Sequence, residues 1–148
     1  MSGGFTVTGL DALERRFNPK TTMDRVEAAM ADATDKGRDA MREAVETRGT
    51  GKTWKHPWRG RSGSIPGRVD SGDMLDGVKG EVTERTRHSV TGVVGWDDDS
   101  EAYMAFQDQG FRHVLTGEYV EGMMALRDGS ELAKTSLIAD LEQIVRDI

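Results

Sequence analysis

Residues 22–47 read TMDRVEAAMADATDKGRDAMREAVET, and the spacing of their apolar positions decides how the rest of the chain is read. Met23, Val26, Met30, Ala33, Gly37, Ala40 and Ala44 recur at intervals of three and four. Asp24, Arg25, Glu27, Asp32, Asp35, Lys36, Arg38, Asp39, Arg42 and Glu43 fall between them. This pattern predicts one amphipathic helix from about Thr22 to about Thr47. At 1.5 Å per residue it would be roughly 35–40 Å long. Thr21 with Asp24 has the form of a capping box at its start. Beyond Met30 the stripe narrows to small residues, which let another backbone come close. That backbone could belong to a sheet of the same domain or to a neighbouring chain.

Working outward, Phe5–Thr8 predicts a short strand. Leu10, Leu13 and Phe17 lie on one helical face that Asn18-Pro19 ends, because the residue before proline is pushed out of the α region. Downstream, Val78, Gly80 and Val82 alternate with Lys79 and Glu81, and Val90, Gly92, Val94 and Trp96 alternate likewise. With a turn in Glu84–His88, the two runs predict a β-hairpin with one apolar face for the long helix to cover. Glu101–Gln109 reads as a helical turn capped by Gly110. Short strands are expected around Val114 and Tyr119. Asp128 with Glu131 suggests a helix start, and Leu132, Leu137, Leu141, Ile144, Val145 and Ile148 form the stripe of a C-terminal helix. The expected fold class is α+β, a small mainly antiparallel sheet packed by two helices, in one domain spanning 1–148.

The chain has 148 residues, enough for folding to bury roughly 68–70% of the unfolded surface. Residues of the AVILMFWYC class make up only 36%, with a mean hydropathy of -0.59, so the core is lean. A net charge of -6 argues against general polyanion binding. The absence of cysteine removes disulfides, thiolate metal sites and cysteine nucleophiles together. No run reaches the roughly 18 apolar residues of a membrane span. The first residues lack the basic and apolar regions of a secretory signal.

From Arg48 to Val69 the periodicity is lost. Residues 48–69 carry Arg48, Lys52, Lys55, Arg59, Arg61 and Arg68 with no acid, beside Trp54, Trp58 and five glycines. About twenty residues without regular structure in a small domain usually serve a function or are disordered. We read a mobile basic arm or loop. Its cations and tryptophans could track a phosphate backbone and stack on bases. They could equally anchor the segment on an acidic protein surface, or simply be solvated.

Other motifs fail on spacing. Gly49-Thr50-Gly51-Lys52-Thr53 resembles the end of a phosphate-binding loop, but Glu46 stands where the first glycine belongs, and the order is helix then coil instead of strand then helix. His56, His88 and His113 lack zinc-ligand spacing. Asp97-Asp98-Asp99 lacks the alternation of a calcium loop. No serine sits in a nucleophile elbow. No catalytic, cofactor-binding or metal-ligating set is expected.

Three stretches together resemble a family. Val7-Thr8-Gly9-Leu10-Asp11-Ala12-Leu13 fits a "Val-x-Gly-Leu-Asp-x-Leu" opening. Val69–Val78 is similar to a "hydrophobic-Asp-Thr-Gly-x-Leu-x-x-Ser-Ile" signature, with Asp70, Gly72, Met74 and Val78 in register and Ser71 replacing threonine. Tyr103–Gly110 is similar to "Tyr-Ala-x-Tyr-x-Glu-x-Gly", with Tyr103, Phe106, Asp108 and Gly110 in register. These belong to the small neck or tail-completion proteins of long-tailed (siphovirus-type) bacteriophages. Val120–Arg127 departs from the family by lacking its "Pro-x-x-Pro-Phe-Leu" stretch. The resemblance implies a structural protein of the virion neck, present in the host cytoplasm during assembly. It implies a ring of about six copies that joins capsid connector to tail tube. Its neighbours would be a stopper or adaptor, the tail terminator and the tail tube. Double-stranded DNA would pass through the lumen without specific binding. A tail terminator ring is the neighbouring alternative, and a nucleic-acid-binding module acting through the arm is the alternative from another class. In the ring reading Trp54, Trp58, Lys52, Lys55, Arg59, Arg61 and Arg68 are subunit-interface candidates, and the motif residues are structural.

Overall fold

A computed structural model describes residues 1–9, 19–49, 54–56, 61–63, 73–96, 101–112 and 114–147. The elements are β1 (Ser2–Val7), α1 (Pro19–Thr47), β2 (Trp54–His56), β3 (Arg61–Gly63), α2 (Asp73–Asp76), β4 (Val78–Arg85), β5 (Val90–Trp96), α3 (Glu101–Gln109), β6 (Gly110–Arg112), β7 (Tyr119–Glu121) and α4 (Ala125–Arg146). Helix and sheet are mixed as the α+β reading expects: two long helices pack on a small antiparallel sheet.

The helix α1 forms where the apolar repeat lies, but it starts earlier than the capping box suggests. Pro19 is its first residue, a position where a missing N–H is harmless and a fixed φ is already helical. Thr21 therefore stands inside the first turn. The buried face is also wider than the seven-residue stripe: Ala29, Thr34, Met41 and Val45 are buried too, while Ala40 is only half-buried.

The three-stranded sheet has the order β1-β5-β4, with every pair antiparallel. Phe5 faces Gly92, and Gly80 faces Val94. A bulge between Val82 and Glu84 shifts the β4 register near its end. The hairpin turn is tied by Thr86, whose N–H donates to the Ser89 carbonyl at 2.8 Å. Alternation puts Val78, Val90, Val94 and Trp96 on the face that α1 and α4 cover.

Small residues govern how closely the layers approach. A Cβ on Gly37 of α1 would lie 2.9 Å from the Gly129 carbonyl oxygen of α4 and 3.1 Å from Val94 Cγ2 of the sheet. Conversely, a Cβ on Gly129 would lie 2.7 Å from the Gly37 carbonyl oxygen. The two helices thus cross with their backbones touching, and β5 packs beneath the crossing. On the sheet side, a Cβ at Gly92 would meet Met30 Sδ at 2.6 Å, and one at Gly80 would run into the Thr34 carbonyl. The small stripe serves packing within this chain.

The core has two lobes. One gathers Met41, Val45, Met74, Val78, Trp96 and Met104 with residues of the α4 start. The other gathers Met23, Val26, Met30, Val90, Leu137 and Ile144. Buried methionine is prominent in both, and its flexible thioether fills the irregular space that a chain with few aromatic residues leaves. Ion pairs lace the rim: Arg85 of β4 reaches Asp24 at 2.6 Å and also pairs with Glu27, both on α1. Arg25 of α1 pairs with Asp147 at the end of α4 at 2.5 Å.

Candidate functional site: the motif junction and the basic segment

Two of the three resembling stretches converge on one lobe of the core. From the first, Met74 and Val78 are buried there. The indole Nε1 of Trp96 donates to the Met74 carbonyl at 2.9 Å, so the short helix α2 is fastened to the end of β5. Asp70 and Gly72 lie outside the described residues.

From the second stretch, Asp108 occupies the junction of α3, β6, β7 and α4. Its side chain is buried. Oδ1 accepts the N–H of Ala125 at 2.5 Å and that of Leu126 at 3.3 Å. Its backbone carbonyl accepts the N–H of Met124 at 2.9 Å, and the Gln107 carbonyl accepts the N–H of Met123 at 3.2 Å. The first N–H groups of a helix have no partner inside it. The residue at the N-cap position of α4 is Met124, in the left-handed region at φ 54° and without a side-chain acceptor. Asp108 supplies that acceptor from another helix, and its negative charge suits the positive end of the α4 dipole.

This corrects the expectation that Asp128 and Glu131 open the helix. Asp128 lies in the first turn and pairs with Arg48 at 2.6 Å, while Arg48 also donates to the Met123 carbonyl at 2.7 Å. The Arg48 hydrogen bond is the largest influence holding the Asp128 carboxyl below its ordinary range, with Arg127 adding to it. Arg48, counted in sequence as part of the basic arm, belongs to the body of the domain.

Gly110 has a φ of 92°, in the left-handed region that side chains disfavour, and ends α3 as expected. A Cβ there would also meet the Tyr119 hydroxyl at 2.5 Å. Phe106 is 59% exposed and makes an edge contact with Phe111, their ring centroids 6.5 Å apart. The side chain of Tyr103 lies outside the described residues.

The basic segment is not wholly without regular structure. β2 and β3 pair antiparallel, Trp54 opposite Gly63 and His56 opposite Arg61. The side chains of Trp54, Lys55 and Arg61 are outside the description, as are residues Lys52, Trp58, Arg59 and Arg68. The expected short N-terminal helix through Leu10, Leu13 and Phe17, the aspartate run 97–99 and His113 are likewise outside it.

Sequence reading missed two exposed apolar features. Val114 is no strand residue: it follows β6 in a turn, 96% exposed, beside Leu115 at 90%. Leu132 and Val145, expected on the buried stripe of the last helix, are 46% and 55% exposed. The face of α4 that packs inward runs instead through Ala125, Gly129, Ala133, Leu137 and Ile144. The small residues on it were the available signal.

Among the described residues no group of three or more His, Asp or Glu side chains is placed to hold a metal ion, and no helix is long and apolar enough to cross a membrane. Comparison with known protein families, curated proteins and solved structures finds no match for this chain.

Proposed function

We propose that this chain is a structural protein of a long-tailed phage neck, a ring-forming tail-completion subunit that joins the capsid connector to the tail tube. The observation that carries this reading is the resemblance of three motif stretches, in family order, combined with what their residues do. Met74, Val78, Asp108 and Gly110 all serve packing or capping, as expected of a motif that preserves a shape. A ring subunit acts through shape and mutual contact and needs no cofactor. In this reading the segment around Trp54 and Trp58 grips a neighbouring subunit or the next ring, tryptophan being a strong interface anchor. The tail terminator role differs only in which ring the chain joins.

The test is composition and position. Mass spectrometry of purified particles should find the chain, and imaging of the neck should place it as a ring between connector and tube. A particle complete in its neck without this chain overturns the assignment.

One observation favours a second reading, nucleic-acid binding through the segment. Leaving Arg48 aside, its five cations and no acid leave the rest of the chain at -11 against the whole chain's -6, so the positive charge is concentrated in one stretch of sequence. Contacts of that kind weaken steeply as salt rises, through counterion release. Purified protein that shows no DNA binding at low salt eliminates this reading.

A further inference from the structure

We propose that Asp76-Gly77 is a site of spontaneous backbone modification, where aspartate converts to isoaspartate through a succinimide ring, and that the fold shields the other pair of the same sequence. Aspartate precedes glycine twice, at Asp76-Gly77 and at Asp128-Gly129. Glycine lacks the Cβ that would crowd its backbone nitrogen, so ring closure is least hindered before it. The Gly77 nitrogen attacks the Asp76 side-chain carboxyl carbon. An N–C bond forms, and the nitrogen's proton leaves with the carboxyl hydroxyl as water. A water molecule then opens the ring. Opening at the main-chain carbonyl leaves Asp76 joined to Gly77 through its side chain, with its α-carboxylate free. The water lost in the first step returns in the second, so no oxidant or cofactor takes part.

Asp76 is the last residue of α2, a helix of four residues, and Gly77 stands in the turn that leads into β4. Asp76 is exposed, and among the described residues no hydrogen bond or ion pair holds its carboxylate. A helix of a single turn has little of the cooperativity that holds a long one together, and helix ends fray. The terminal residue therefore rotates at small cost to bring its carboxyl carbon onto the next nitrogen.

Asp128 is held where Asp76 is not. Arg48 pairs with its carboxylate at 2.6 Å and Arg127 at 2.9 Å. These contacts, the Arg48 hydrogen bond first, keep the carboxyl below its ordinary range, and the ionised form is the poorer electrophile. Gly129 is the fifth residue of α4, so its N–H falls past the four that a helix leaves without a partner inside it. Gly129 is also buried at the crossing with α1. The place of Asp76 gives its modification a consequence. Isoaspartate adds one backbone carbon between Met74 and Val78, both buried in one lobe of the core, and the Met74 carbonyl is the acceptor of the Trp96 indole. The inference rests on local chemistry and is independent of the neck reading.

The experiment is incubation of the full folded chain at neutral pH and body temperature for several weeks, then digestion with trypsin, which separates residues 69–79 from residues 128–134. Electron-transfer fragmentation locates a lengthened backbone within each peptide. Position 76 should gain isoaspartate at least about tenfold faster than position 128. In guanidinium, where the fold no longer distinguishes the two pairs, the rates should agree within about threefold. Asp76→Glu keeps the charge at an exposed position but needs a larger ring, so it should remove the signal at position 76 and leave far-ultraviolet circular dichroism unchanged. A folded chain that gains no isoaspartate at position 76 overturns the proposal, as does one in which position 128 reacts as fast. So does a contrast that persists undiminished in guanidinium, or an Asp76→Glu variant that still lengthens its backbone there.

Discussion

The Asp108 carboxylate accepts the backbone N–H of Ala125 at 2.5 Å, so the start of α4 is capped by a residue seventeen positions away on another helix. Met124, in the usual capping position, contributes no acceptor. The bond fixes where the last helix begins and ties that start to the end of α3.

Asp108→Ala leaves the Ala125 and Leu126 N–H groups without their acceptor in a buried place. It should lower unfolding stability by about 1–3 kcal/mol in urea titration. Asp108→Asn keeps an oxygen acceptor and should lose less than half as much. Equal losses for the two variants would mean that capping is not what Asp108 does.

Gly129→Ala would ordinarily gain helix propensity of about 1 kcal/mol. Here the new Cβ meets the Gly37 carbonyl oxygen at 2.7 Å, and that atom is backbone of α1. The expected outcome is a net loss of about 1–3 kcal/mol, read as a lowered midpoint in thermal or urea unfolding. A neutral or stabilised variant would show that the helices do not cross at these two glycines.

Arg48 and Asp128 make stability depend on pH. The folded Asp128 carboxyl is held below its unfolded range, by the Arg48 hydrogen bond first. Its contribution is therefore fully present above the unfolded value of 3.8 and is lost as pH falls through the lower folded value. Asp128→Asn should cost about 1 kcal/mol or less at neutral pH, as expected of a partly solvated pair. The difference from wild type should vanish in acid. A difference that grows on acidification contradicts this assignment.

Replacing residues 50–66 by a Gly/Ser linker of the same length should leave the helical circular dichroism and the unfolding midpoint close to wild type. β2 and β3 pair with each other, and the described residues of both lobes of the core lie elsewhere. If the neck reading holds, particles carrying this variant should accumulate unjoined heads and tails. Normal yields of joined particles would remove the segment from any gripping role.

The readable features were those set by local periodicity. The three-and-four spacing from Met23 to Ala44 gave α1 nearly to its ends, and strict alternation through Val90–Trp96 gave the central strand. Gly110 marked the end of α3 because a left-handed residue there calls for glycine. Such signals depend on the geometry of one segment and its contrast with water, so they are legible without neighbours.

Where the pattern competed with a partner, reading failed. Leu132 and Val145 are as apolar as Leu137, yet which of them turns inward depends on where α1 crosses, and that crossing is set by Gly37 and Gly129. Asp128 looked like a cap, but it lies within the first turn, and Asp108 accepts the orphan N–H groups once the end of α3 meets the start of α4. Composition and periodicity alone determined a lean α+β domain with a long charged helix and a concentrated basic segment. Only the tertiary structure decided which carboxylate caps the last helix, which face of it is buried and that Arg48 belongs to the body, because each of these depends on distances between residues remote in sequence.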